Sequence, residues 1–190
     1  MLQETPETFC PTSRADWRAW LQENHQVKQS VWLIYYKKNS NTPTLTYSDA
    51  VDEALCFGWI DSTRKSLNVN QFTQFFCKRK PKSGWSKVNK QKVSDLINQG
   101  LMMQAGLDCI ELAKANGSWA ILDEVEELLI PGDLDIALQA HAGAKDYFLG
   151  LSKSTRKQLL QWIVLAKRPE TRANRISEIA VAAAAKRKPK

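Results

Sequence analysis

Only two histidines occur in the chain, His25 and His141, far apart and without a neighbouring ligand pattern. That excludes a dedicated zinc site. The four cysteines, Cys10, Cys56, Cys77 and Cys109, are widely separated and include no C-x-x-C pair. Free thiols in a reducing cytoplasm are the expectation. No apolar run approaches the roughly 20 residues of a membrane span. The N-terminal MLQETPETFCPTSR lacks the basic start and apolar core of a signal peptide, so export is not expected. These absences leave a cytoplasmic protein with no metal and no cofactor as the expectation.

What is present describes a folded chain. A length of 190 residues, a hydrophobic content of 43% and seven tryptophans suffice for a real core, as one domain or a domain with a helical extension. The net charge of +7 and pI near 9.3 favour anionic partners: nucleic acid, phosphorylated metabolites or acidic lipid headgroups. The last five residues, Lys186-Arg187-Lys188-Pro189-Lys190, supply four of those charges and read as a flexible basic tail.

The stretch from Leu45 to Asn89 carries most of the functional candidates. Thr46 with Asp49 has the form of a capping box, as does Ser13 with Asp16 upstream. The helix after Thr46 places Ala50, Val51, Ala54 and Leu55 on one face and Asp49, Asp52, Glu53 and Cys56 on the other. Gly58 is a natural helix stop. Two strand-like runs follow, Trp59–Leu67 and Gln71–Arg79, joined by Asn68-Val69-Asn70 as a hairpin. In the second run both faces carry aromatics, which predicts cover on part of each side. Lys78, Arg79, Lys80, Lys82, Lys87, Lys90 and Lys92 then arrive with no acid before Asp95. Ser86 is placed to cap a helix from about Lys87, and a helix start beside such cations suits an anion. The alternative is an ordinary solvated basic loop.

Elsewhere, Trp17, Trp20 and Leu21 fall at helical spacing and read as core. The run Val31–Tyr36 reads as a buried central strand, closed by Lys37 and Lys38 and followed by a polar loop, Asn39–Thr44, containing Pro43. The order helix, strand, helix, strand, strand predicts an α+β fold, a small antiparallel or mixed sheet with helices against one face. From Ser86 onward the pattern is helical, with Gly100 and Gly117 as helix ends and Pro131 as a linker. Helices are expected at Asp133–Ala140, Lys145–Leu149 and Thr155–Lys167, with a last one opening at Pro169. The acidic cluster Asp123, Glu124, Glu126 and Glu127 is a candidate partner for the basic loop. Arg168, Arg172 and Arg175 either form a second anion site, with Thr171, or pair with Glu170, Glu178 or that cluster.

The runs ALCFGWIDS (Ala54–Ser62), RKPKSGWSKVN (Arg79–Asn89) and AKRPETRANRI (Ala166–Ile176) resemble the YdeI/OmpD-associated, or bacteriocin-protection, family. The resemblance runs from about Trp17 to Ile179. It implies protection against antimicrobial peptides or other stress and brings no reaction or catalytic set. The N-terminal part is also similar to small α+β domains of the frataxin and YjbR type, although no strongly acidic helix face near the start supports an iron role. The expected organisation is an α+β domain over 1–100, an α-helical region over 101–185 with the family's motif at about 133–180, and the tail 186–190.

Three function classes follow. The first is a module binding an anionic ligand, a small molecule or nucleic acid, with Arg79, Lys80 and Lys82 on phosphates and Trp59 or Trp85 stacking. The second is a protein-interaction module. The third is an enzyme on a small anionic substrate polarised by Asp61, Arg79, Ser83 and Asn89. No nucleophile–base pair supports catalysis, and Cys56 reads as a small buried hydrophobe. The candidate binding set is therefore Trp59, Asp61, Arg79, Lys82, Ser83, Trp85, Asn89, Arg168 and Arg172, with no catalytic residue assigned.

Overall fold

The computed structural model describes residues 7–37, 40, 42 and 45–188; Lys38, most of the expected polar loop and the last two tail residues lie outside them. The chain divides into two compact units, one of residues 1–83 and 88–119, the other of 84–87 and 120–190.

The first unit is α+β, as expected. Its elements are β1 (Thr8–Phe9), α1 (Arg14–Asn24), β2 (Ser30–Tyr36), α2 (Tyr47–Cys56), β3 (Trp59–Ser66), β4 (Gln71–Lys78), α3 (Lys87–Asn98) and α4 (Gln104–Ala115). The sheet is mixed, in the order β1-β2-β4-β3, with β1 parallel to β2 and the other pairs antiparallel. Strand β1 is absent from the sequence-based order, because two residues carry no period to detect.

Both N-caps form, but not the reciprocal bond of a capping box: Asp16 Oδ2 accepts from Thr12 N at 2.9 Å, one residue before the cap. Ser13 Oγ accepts from Asp16 N at 3.1 Å, and Thr46 Oγ1 accepts from Asp49 N at 3.1 Å while donating to Asp49 Oδ2 at 2.6 Å. They fix α1 and α2 over one face of the sheet. Trp17 and Trp20 stack at 5.1 Å, Trp17 meets Phe76 edge-on at 5.6 Å, and the Trp17 indole donates to Ala50 O at 3.1 Å. The tryptophans of α1 are core, as their spacing predicts.

Two expectations need correction. Strand β2 is internal, yet only Val31, Leu33 and Tyr35 are buried, while Ser30, Trp32, Ile34 and Tyr36 are half-buried. The apolar run is one-sided, because α1 and α2 pack on a single face. Glu53 and Cys56, expected on the polar side of α2, are buried as well. Glu53 tolerates this because Arg14 Nε and Arg18 Nη1 close on its two oxygens at 2.5 and 2.6 Å.

The second unit contains α5 (Asp123–Glu126), α6 (Gly132–Gln139), α7 (Ala144–Gly150), α8 (Lys153–Val164) and α9 (Pro169–Ala184). Leu134, Leu138, Phe148, Leu160, Ile163 and Ile179 form its core. Helix α8 starts two residues before the expected Thr155, because Ser152 Oγ accepts from Thr155 N at 3.2 Å and is the cap. Pro169 opens α9, where its missing N–H costs nothing. No helix among the described residues is long and apolar enough to cross a membrane.

The acidic cluster is engaged within this unit. Glu126 accepts from Lys157 Nζ at 2.5 Å and from Lys87 N at 3.1 Å, and Glu127 pairs with Lys87 Nζ at 3.0 Å. Arg172 grips Asp133 with two nitrogens, at 2.7 and 2.9 Å. Burial alone would raise the Glu126 carboxyl, but its bonds from Lys157 and Lys87 outweigh that and hold it below its usual value. The Arg172 fork does the same for Asp133. Both groups bind protons less readily when folded, so their stabilisation is full above the ordinary carboxylate range and is lost as pH falls through the lowered values. Melting temperature should therefore fall as pH drops below about 4. The double change Glu126→Gln with Asp133→Asn should flatten that decline; an equally steep one in the variant would assign the acid sensitivity elsewhere.

Candidate functional site

The junction between the end of α2 and the strands that follow is built by short-range constraints. Gly58, at φ +71°, turns the chain out of α2. Its carbonyl accepts from Arg79 N at 2.9 Å, which ties the start of β3 to the exit of β4. Helix α4 closes the side: a Cβ on Gly58 would sit 2.9 Å from Ala105 O and 3.4 Å from Cys109 Cβ. The result is a cleft of about 380 Å³ in the first unit, lined among others by His25, Phe57, Trp59, Lys78, Arg79, Pro81, Asp108 and Cys109.

Its walls are aromatic and its cation is buried. Trp59 packs edge-on against Trp20 at 5.8 Å and donates its indole N–H to His25 O at 3.3 Å. The His25 and Phe57 rings lie 5.1 Å apart. Nδ1 of His25 contacts Leu21 O at 2.9 Å; a carbonyl only accepts, so that nitrogen carries the proton. Arg79 is 8% exposed, and burial pushes its guanidinium down to about 10, against the opposing influence of Cys109 and Asp61. It keeps its charge at neutral pH. Burial in turn raises the Cys109 thiol, partly countered by Arg79. Cys56 is pushed up to about 11, chiefly by burial, which fits a packing role and not a nucleophile.

The expected site residues scatter. Trp59 and Arg79 both line the cleft. Asp61 is half-buried, accepting from Tyr47 OH at 2.7 Å and Gln74 Nε2 at 3.4 Å. Lys82 is exposed, and Ser83 Oγ closes a turn by donating to Lys80 O at 2.8 Å. Asn89 is half-buried on α3, so the four polar groups Asp61, Arg79, Ser83 and Asn89 are not shown as one constellation. Trp85, in the second unit, and Trp59, in the first, are each 1% exposed, which removes both rings from stacking face-on with a ligand.

Much of the basic run is also engaged. Lys78 Nζ donates to Gln26 O at 2.7 Å, Lys92 pairs with Asp52 at 2.5 Å, and Lys90 lies 5.2 Å from the Trp119 ring centre.

In the second unit a groove of about 590 Å³ lies along α6 and α9, lined largely by alanines with Asp133, His141, Ile176 and Arg172. Arg172 is held by Asp133, a partner outside those the sequence suggested, and Arg175 donates to Trp162 O at 2.5 Å with its guanidinium 4.9 Å from that ring. Arg168 stands exposed as the N-cap of α9. That groove therefore offers one cation already neutralised, whereas the cleft at Arg79 offers a buried one among aromatics.

Sequence reasoning missed His25, Phe57 and the α4 residues. Phe57 was within reach, lying between two residues already singled out. Cys109 and Asp108 carried no local signal, since only the docking of α4 brings them to Gly58. Among the described residues, no group of three or more His, Cys, Asp or Glu side chains is placed to hold a metal ion.

Two family models match the chain. Residues 9–109 match a domain of unknown function, DUF8412. Residues 127–186 match the family described as Bacteriocin-protection, YdeI or OmpD-Associated, which supports the resemblance over the part that holds Ala166–Ile176; the runs Ala54–Ser62 and Arg79–Asn89 fall in the other match. No curated protein and no solved structure matches the chain.

Proposed function

Because the chain belongs to the DUF8412 family, with a bacteriocin-protection, YdeI or OmpD-associated match in its C-terminal part, and neither description names a reaction, we propose a function from the cleft itself: binding of a small anionic ligand. The observation that carries the reading is the buried Arg79, which lines the same cleft as Phe57, Trp59 and Cys109. A charge taken out of water is costly, and an anion seated in the cleft offsets that cost. The largely apolar lining suits a ligand with an apolar portion beside its carboxylate or phosphate. Lys82, exposed on the loop after β4, adds long-range attraction. This reading sets the binding within a response to antimicrobial peptides, on the strength of the description of the C-terminal match alone.

The test is a thermal-shift series with phosphate, pyrophosphate, nucleoside monophosphates and aromatic carboxylates, comparing the wild-type chain with Arg79→Met. A ligand specific for the folded state raises the melting temperature with concentration. We expect a shift in the wild type that Arg79→Met removes and Lys82→Ala only weakens.

The melting temperature of each variant without ligand is the reference for its own shift. Depression of the Arg79 guanidinium to about 10 corresponds to at most about 3 kcal/mol of destabilisation at neutral pH, relieved only as pH rises past that value. Equal shifts in wild type and Arg79→Met would refute the reading. So would the absence of any shift across the series. In cells, loss of the whole protein should raise sensitivity to antimicrobial peptides, and Arg79→Met should reproduce that effect.

A further inference from the structure

We propose that the half-open face of the four-stranded sheet binds single-stranded nucleic acid, with Trp32 and Phe75 as stacking surfaces and Lys65 as a phosphate contact. The site is separate from the Arg79 cleft and does not depend on it.

Strand pairing defines this face. Trp32 lies opposite Phe75 on β4, and Thr73 lies between Ile34 of β2 and Lys65 of β3. The side chains that alternate with these, Val31, Leu33 and Phe76, are buried under the helices. Trp32, Ile34 and Phe75 keep part of their surface in solvent. The Trp32 and Phe75 ring centres are 4.9 Å apart, tilted by 57°, on neighbouring strands. Two aromatic side chains on adjacent strands of an open sheet offer successive surfaces for unstacked bases.

The charge on this face is complementary to a phosphate backbone. Lys65 Nζ lies 4.8 Å from the Trp32 ring centre, so a cation already sits where a base would stack. A base arriving on the ring displaces the ammonium towards the phosphate beside it. By the strand alternation, β2, β3 and β4 direct no carboxylate to this side: Asp61, the one acid in these strands, falls on the register of Phe76, the helix-covered face. Residues 62–70, the far end of the hairpin, are exposed throughout; Arg64, which falls on the register of Gln74 and Leu33, belongs to the opposite side. A net charge of +7 draws a polyanion to the chain as a whole. Each exposed ring surface favours a base over an acidic peptide side chain, which has no flat face to stack. A duplex keeps its base faces hidden.

The experiment is fluorescence anisotropy of the full chain with labelled thymidine and uridine oligomers of about 12 nucleotides, and with a duplex of the same length, at about 50 and 200 mM salt. We expect the single strands to bind more tightly than the duplex, and more tightly at low salt. Trp32→Ala and Phe75→Ala should each weaken binding by about fivefold or more, and Trp32→Phe should retain most of it. Lys65→Ala should reduce the salt dependence by about one ion. Arg79→Met should leave oligomer binding unchanged, which separates this site from the cleft. The proposal is overturned if the wild type shows no anisotropy change at low salt, if the duplex binds as well as the single strands, or if a folded Trp32→Ala binds like wild type. Should Trp32→Ala fail to fold, the exposed Lys65→Glu decides: undiminished binding overturns the proposal, and a loss of tenfold or so upholds it.

Discussion

Gly106→Ala is expected to destabilise the first unit by about 2–3 kcal/mol, despite exchanging glycine for the best helix former. Gly106 is buried in the first turn of α4, where that helix lies against the end of α2. A Cβ there would stand 2.3 Å from Cys56 O and 2.7 Å from Met102 Cε. The methionine end can swing away, but the Cys56 carbonyl belongs to the backbone of α2 and already accepts from Met103 N at 3.1 Å. Relief requires α4 to move as a body, loosening that bond and the 2.8 Å bond from Arg18 Nη2 to Leu101 O. The gain in helix propensity is about 1 kcal/mol, so the clash wins. In thermal denaturation the variant should melt about 5–10 °C lower. Ligand binding at Arg79 should fail with it, since Ala105, Asp108 and Cys109 of α4 form one wall of the cleft. Melting within about 2 °C of wild type would mean that the helices are not locked at this contact.

The same docking explains what the sequence could and could not disclose. Features decided within a few residues were legible: the two N-caps, the turn at Gly58, the hairpin at Asn68–Asn70 and the start of α9 at Pro169. The α+β class followed from their order. Features decided by distant partners were not. Glu53 sits on what looks like the polar stripe of α2, and only arginines 39 and 35 residues away on α1 make its burial tolerable. Strand β1 exists because Phe9 pairs with Leu33, not because its own two residues favour extension. At the cleft, Trp59 and Arg79 stood out as residue types, whereas Cys109 arrives through α4. Conversely, Trp85 has the composition of a stacking platform and the environment of a core residue. A basic run also says little about free charge when Lys87 and Lys92 are held by Glu127 and Asp52.

Glu53→Ala should destabilise the first unit although it removes no apolar side chain. Its carboxylate is 2% exposed and joins three segments: Arg14 and Arg18 on α1, α2 itself, and, through Arg18, the carbonyl of Leu101 ahead of α4. Removing one member of a buried pair costs about 3–5 kcal/mol when the other charge is stranded out of water. Here the arginine side chains keep 39% and 28% of their surface in solvent, so they rehydrate in part. That brings the expected loss to about 2 kcal/mol, a fall of about 5 °C in melting temperature. The two arginines should not contribute equally. Arg14 can fall back on Asp49 at 3.5 Å, near the solvent, whereas Arg18 is less exposed and must still satisfy Leu101 O. A double-mutant cycle of Glu53→Ala with Arg18→Ala should therefore give a larger coupling energy than one with Arg14→Ala. Equal couplings would indicate that Glu53 holds α1 as a simple pair of surface bridges. A melting temperature unmoved by Glu53→Ala would show that the aromatic packing of Trp17, Trp20 and Phe76 fixes α1 against the sheet without help from charge.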